Sequence, residues 1–173
     1  MTKLKFETNV HDINQHQIIK LPKEISDQLP SRGMVMIEGT LNQIVFQAAL
    51  EPDGLGSHWF ELDDKLIDDA ALSTGGLVKL EISVLYNWYE PVVPKDLEVA
   101  LKSSELLDLW DGLTVRARWE SIRWIQFTKN PDTRKRRIEV TCSKLDNGKK
   151  RPCCFDLTRC TVTEVSSNGV LKG

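Results

Sequence analysis

The sequence predicts an α+β protein: a small closed six-stranded β-barrel built from a pseudo-repeated half, followed by a small helical module. The first reason is an internal repeat. The stretch Ile18–Gly39, IIKLPKEISDQLPSRGMVMIEG, returns in altered form as Trp59–Ile82, WFELDDKLIDDAALSTGGLVKLEI. Each copy has an extended stretch ending in leucine (Leu21, Leu62) and a polar segment with apolar residues at helical spacing. A glycine-bearing turn (Gly33; Gly75 and Gly76) and a strand of alternating apolar residues follow. Neither half can bury its apolar face alone, so the two are expected to close on each other. The second reason is a change of hydrophobic period, from that of a strand before Tyr86 to that of a helix after Pro94. Between them Asn87–Pro94, NWYEPVVP, has two prolines within four residues, which reads as a linker. The expected domains are therefore 1–86 (barrel), 87–93 (linker) and 94–173 (helical module with a cysteine-containing tail).

Each element has a local cause. Lys3–Val10 alternates apolar and polar residues like a half-buried strand, and a polar turn at Asp12–Gln15 leads to a second strand, Gln17–Leu21. Pro22 suits a first helical position, Ile25 and Leu29 share one face, and Pro30-Ser31-Arg32-Gly33 stops that helix. Met34–Leu41 and Ile44–Leu50 flank Asn42-Gln43, a tight hairpin turn. The loop Glu51–Ser57 has two glycines that allow positive φ or close approach by another group. His58–Leu62 is a strand, Asp64–Leu72 is helical, and Leu77–Tyr86 is the last long strand of the barrel. After the linker, helices are expected over Pro94–Ser103, Ser104–Trp110 and Thr114–Lys129, the last with a stripe of Val115, Trp119, Ile122 and Ile125. Trp124 lies nearly opposite that stripe, so this helix is either covered on two faces or displays a tryptophan. Asn130-Pro131-Asp132 starts a fourth helix that Asn147-Gly148 stops, with Ile138, Thr141, Cys142 and Leu145 inward. A final strand is expected at Thr161–Val165.

The 173 residues, 40% hydrophobic and 28% charged, suit a folded domain with a smaller partner and not a disordered chain. No apolar run approaches the roughly 18 residues of a membrane span. The N-terminus, MTKLKFETNV, has no signal-peptide apolar block, so a cytoplasmic protein is expected. The net charge of −2 conceals an asymmetry: Arg116–Arg159 holds 13 Lys or Arg against 5 Asp or Glu, the rest 10 against 20. Such a run can meet a polyanion, pair with the acids elsewhere in the chain, or face solvent. The cysteines Cys142, Cys153, Cys154 and Cys160 lack paired C-x-x-C spacing and have no histidine nearby. Reduced, buried thiols are their simplest reading, and no metal or cofactor is expected.

Two candidate sites emerge. Gly54, Gly56, His58 and Trp59 would make a ligand pocket, with glycines for backbone approach, the histidine as donor and the tryptophan as wall, or else a hairpin loop whose aromatic plugs the barrel. Trp124, Lys129, Arg134, Arg136, Arg137, Lys149 and Lys150 would contact a polyanion or a protein partner, with Trp124 as a stacking platform. Alternatively Arg134 and Arg137 lock the helices to Glu or Asp of the acidic half of the chain and leave Lys135, Lys149, Lys150 and Arg151 outside. No nucleophile or phosphate-cradling motif is present, so no catalytic residue is assigned.

The motifs Ile19-x-Leu21-Pro22-x-Glu24-Ile25, Gly39-Thr40-Leu41-Asn42 and Phe46 through Pro52-Asp53-Gly54-x-Gly56-x-His58-Trp59 resemble those of the domain of unknown function 1905. That resemblance covers about residues 3–86 and implies a compact barrel similar to the double-split barrel of AbrB-type regulators. Where that family has Gly-Asp before its last strand, this chain has Gly75-Gly76. Val93-Pro94-x-Asp96-Leu97, Trp124-Ile125, Lys129-x-x-x-Thr133-Arg134-x-Arg136-Arg137-Ile138 and Leu145-x-x-Gly148-Lys149 resemble the YdeI/OmpD-associated module, over about residues 93–151. This resemblance implies a bacterial protein linked to protection against bacteriocins and antimicrobial peptides, with no agreed activity. A binding or interaction module for an unknown protein or small molecule is the leading expectation. Nucleic-acid binding through the Arg-rich helix, and small-molecule chemistry or binding at the Gly-rich loop, are the alternatives.

Overall fold

The computed structural model describes residues 2–152 and 155–173. The chain divides into two compact units, one of Met1–Asn87, Leu157–Cys160 and Glu164–Gly173, the other of Trp88–Asp156 and Thr161–Thr163.

The first unit contains β1 (Leu4–Asn9), β2 (His11–Ile13), β3 (His16–Lys20), α1 (Lys23–Ser26), β4 (Val35–Leu41), β5 (Ile44–Pro52), β6 (His58–Glu61), α2 (Asp64–Asp69) and β7 (Leu77–Val84). A terminal hairpin adds β8 (Ser166–Ser167) and β9 (Val170–Leu171). The expected closed six-stranded barrel is corrected here to an open, seven-stranded antiparallel sheet in the order β1-β7-β4-β5-β6-β3-β2. The cause lies at Val10. The predicted first strand breaks there, because Val10 N–H donates to Gly76 O (2.9 Å) and Val10 O accepts from Gly75 N–H (2.8 Å). Residues before the break pair with β7, and residues after it pair with β3. The two edges of the sheet are thus consecutive pieces of one chain, joined by covalent backbone and not by a hydrogen-bonded ladder.

The repeated segments fold as β3-α1-β4 and β6-α2-β7 and pair strand by strand. Ile19 lies opposite Phe60, and Gly39 opposite Ile82. These are corresponding residues of the two copies, so each strand meets its own echo across a local pseudo-two-fold. Ile19, Leu21, Ile25, Val35 and Ile37 of one copy share a core with Phe60, Leu62, Leu66, Val78 and Leu80 of the other. Gly39 allows the closest approach in that pairing, since a Cβ there would lie 1.9 Å from Glu81 O. At the β4–β5 turn Asn42 and Gln43 have φ of 47° and 70°, the twist that matches flanking strands. The Asn42 side-chain oxygen also accepts from Lys79 N–H (2.9 Å).

The predicted strand at Thr161–Val165 is replaced by β8 and β9, which flank Asn168-Gly169 (φ 53° and 78°). Turn chemistry outweighs β-branched residues in placing this hairpin. The tail, expected with the helices, lies largely with the first unit: Leu171 N–H donates to Asp53 O (2.8 Å) and the Lys20 ammonium to Gly173 O (2.6 Å).

The second unit packs α3 (Lys95–Ser103), α4 (Leu107–Asp111), α5 (Val115–Gln126) and α6 (Pro131–Asp146) around Leu97, Leu101, Trp110, Ile122, Ile125, Ile138 and Leu145. The predicted caps form. Thr114 Oγ1 accepts from Ala117 N–H (3.1 Å), and Asn130 Oδ1 accepts from the N–H groups of Asp132 (2.9 Å) and Thr133 (3.2 Å). Burial on α5 covers two faces, with Ala117 and Ser121 buried as well as Ile122 and Ile125, while Val115, Trp119 and Trp124 are half-buried. Most of the expected linker belongs to this unit. Pro91 is buried, and Tyr89 O accepts from the Trp119 indole N–H (2.8 Å).

Candidate functional site

At the Gly-rich loop the group that approaches closely is the chain itself. A Cβ on Gly54 (φ +83°) would lie 2.1 Å from Gly169 O in the terminal hairpin. Gly56 (φ +95°) faces more open space, and its carbonyl accepts from Arg32 Nη1 (2.9 Å). Asp53 Oδ1 accepts from Leu55 N–H (2.7 Å) and Ser57 N–H (3.0 Å), folding the loop over its own side chain. His58 is 1% exposed. Its Nε2–H donates to Gly33 O (2.8 Å), which leaves Nδ1 to accept from the buried Ser26 hydroxyl. Burial pushes the imidazole below its ordinary pKa, so the ring is neutral near pH 7. Trp59, equally buried, donates its indole N–H to Pro52 O (3.2 Å). Both side chains are held inside the fold, and their polar atoms are engaged by protein groups.

Three arginines of the basic run, Arg118, Arg134 and Arg137, act as helix clamps. Arg118, 8% exposed, pairs bidentately with Glu90 through Nε (3.0 Å) and Nη2 (2.5 Å). Its Nη1 reaches the carbonyls of Leu113, Asp111 (3.2 Å) and Trp110 (3.4 Å) where α4 ends. Arg137 does the same for α5, donating to Trp124 O (2.7 Å) and Phe127 O (2.8 Å) with its guanidinium 5.3 Å from the Trp124 ring. Arg134 binds Asp96 of α3 through Nε (2.6 Å) and Nη2 (3.0 Å), which holds that carboxyl below its usual pKa. A guanidinium suits this work because five donors in a planar fork can satisfy several orphan carbonyls at once. In the first unit Arg32 closes α1 likewise, at Ser26 O (2.5 Å) and Leu29 O (3.1 Å).

Arg123 is also buried, with its guanidinium 5.5 Å from the Phe155 ring, while other cations of the run lie outside. Lys129, Lys135, Arg136, Lys149 and Lys150 are exposed. Arg136 and Lys135 share the exposed face of α6 with Asp132, Glu139 and Asp146, so that face carries no uninterrupted positive stripe. Lys149 and Lys150 border a cleft with Trp124, Ser121 and Thr141, whose cavity of about 10 Å³ holds at most about one water. The seven residues predicted for one polyanion surface are thus divided between internal clamps and separate exposed positions. Cys142 is half-buried with its thiol pKa raised by burial, Cys160 is buried, and Cys153 and Cys154 lie outside the described residues. Among the described residues no cluster of His, Cys, Asp or Glu converges as a metal site would. No described helix is long and apolar enough to cross a membrane.

A larger cavity, about 610 Å³, opens on the first unit beside the turn between β4 and β5. Lys5 and Glu7 of β1, Lys79 and Glu81 of β7, Thr40 of β4 and Gln43 of the turn line it. Strand alternation in the sequence places these residues outward, but nothing local says that their side chains border one shared space.

The fold and these sites define a two-part α+β protein: a pseudo-symmetric antiparallel sheet domain and a helical domain fastened by arginines. Residues 6–82 match the family model Domain of unknown function (DUF1905), and residues 90–148 match Bacteriocin-protection, YdeI or OmpD-Associated. The two matches follow one another along the chain in the order the motifs predict. The second match begins at Glu90, the partner of Arg118. A comparison with curated proteins finds no match.

Proposed function

We propose that this chain is a non-catalytic binding protein that contributes to protection against bacteriocins or antimicrobial peptides. The observation that carries the reading is the state of His58, the one histidine the sequence puts forward for chemistry. Both ring nitrogens are occupied by Ser26 and Gly33, and the ring is 1% exposed. Catalysis by this group would require breaking two buried hydrogen bonds, whereas exposed polar surface remains for binding. The match of residues 90–148 to a bacteriocin-protection family supports the protective role.

The test is expression of the full chain in a bacterium sensitive to a pore-forming bacteriocin. Survival should rise at least tenfold over the empty vector and should be kept by His58→Asn in the fraction of cells that accumulate folded protein. Equal survival with and without the chain, across a panel of bacteriocins and cationic peptides, would remove the protective role.

A further inference from the structure

The cavity of about 610 Å³ on the sheet has a charge arrangement that the protective reading does not use. Lys5 lies opposite Glu81 and Glu7 opposite Lys79 on antiparallel neighbours β1 and β7. Residues two apart on a strand are about 7 Å apart, and strands are about 5 Å apart. Four charged side chains therefore occupy the corners of a small rectangle, with like charges on its diagonals. Thr40 of β4 stands opposite Glu81 on the other side of β7, and Gln43 projects from the adjoining turn.

Two features make these charges accessible to a ligand. The cross-strand pairs are long, 3.7 Å for Lys5–Glu81 and 3.8 Å for Lys79–Glu7, and the closer Lys3–Glu81 pair (3.1 Å) has its lysine 66% exposed. The Lys5 and Lys79 side chains are also 74% and 73% exposed. Exposed pairs of this kind are weak, because solvent screens them and ordering two long side chains costs entropy, so they exchange readily for ligand contacts. The volume lies within the range of about 300–1,000 Å³ typical of small-molecule sites. The Thr40 hydroxyl and Gln43 amide make no hydrogen bond to another described residue, which leaves one hydroxyl and one amide to meet a peptide group.

We propose that this cleft binds a zwitterionic ligand, a free amino acid or short peptide. Its ammonium is received by Glu81 and its carboxylate by Lys79, two residues apart on β7, and its amide by Thr40 or Gln43. A simple cation or anion has a like charge beside every partner, whereas a molecule with both charges, spaced to match the roughly 7 Å between alternate residues of a strand, meets a Glu and a Lys at once. The assignment stands on this geometry and does not depend on the protective role.

The experiment titrates the full chain with tri-alanine and, separately, with N-acetyl-tri-alanine amide, read by calorimetry at low salt. Tri-alanine should bind saturably, and blocking both termini should weaken binding at least tenfold. Lys79→Met and Glu81→Gln should each weaken tri-alanine binding at least fivefold with unchanged circular dichroism. Thr40→Val, a milder change, decides the matter if either charged variant misfolds, with an expected loss of at least twofold. No saturable binding of the free tripeptide, equal binding of the blocked one, or unchanged binding in every folded variant would overturn the proposal.

Discussion

The two units satisfy buried polar groups by different means. In the sheet unit the backbone does most of the work: β3 pairs with β6 and β4 with β7, so each repeat is completed by its counterpart. In the helical unit, carbonyls at helix ends are left over by the geometry of the helix itself, and guanidinium groups collect them. Arg118 serves α4 and Arg137 serves α5. One consequence is that charge density in a sequence is a poor guide to surface charge where helices are short. Each short helix exposes as many terminal carbonyls as a long one, and a buried arginine is an efficient way to occupy them.

Substitutions can break this contrast, beginning where the effect should be largest. Arg118→Met removes the partner of Glu90 and frees the carbonyls of Trp110, Asp111 and Leu113. Loss of about 3 kcal/mol is expected, from the carbonyls left without a donor since Glu90 itself faces solvent, read by denaturant unfolding through tryptophan fluorescence. A loss below about 1 kcal/mol would mean that the clamp is ornamental. In the sheet unit the matching stress is Gly39→Ala, whose methyl would meet Glu81 O at 1.9 Å. It should cost about 3 kcal/mol. Gly148→Ala, with φ +75° but no atom within 4 Å, should cost only about 1 kcal/mol by the same assay.

His58→Gln should cost about 2 kcal/mol and also flatten a pH dependence. Burial depresses the folded pKa of His58, so its contribution is full above the unfolded value of about 6.5. As pH falls from there through the folded value, the unfolded chain takes up the proton first and stability declines. Thermal melts from pH 7.5 down to pH 5 should show that decline in the parent and less of it in the variant. The smallest effect belongs to Arg134→Met, at about 1 kcal/mol or less, because the pair with Asp96 is partly exposed. Its signature is acid-sided. Arg134 depresses the Asp96 pKa, so the pair's contribution is present above the unfolded value of about 3.9 and is lost as pH falls through the folded one. Urea midpoints of parent and variant should therefore converge in acid.

Much of this architecture was legible in the residues. Leu21, Leu62, Val35 and Val78 mark the repeat, and they lie in one shared core. Thr114 and the Asn130-Pro131 pair announce helix starts because capping is a property of a few adjacent residues. Arg134 and Arg137 were recognised as possible clamps, but their partners Asp96, Trp124 and Phe127 depend on how helices cross. His58 was visible as a polar residue at a loop end. That it is buried against Ser26 and Gly33 depends on residues 32 and 25 positions away in the chain.

By itself the sequence determined most of the elements, the helix caps, the repeat and the order of the two domains, since these follow from periodicity and from side chains acting on nearby backbone. Only the tertiary structure decided that the sheet stays open at Val10, that the tail returns to the Gly54 loop, and which cations are spent inside the fold. Those outcomes depend on pairings between distant residues. Such a pairing forms when the gain in burial and hydrogen bonding exceeds the entropy of closing the loop between them, and no local pattern encodes that balance.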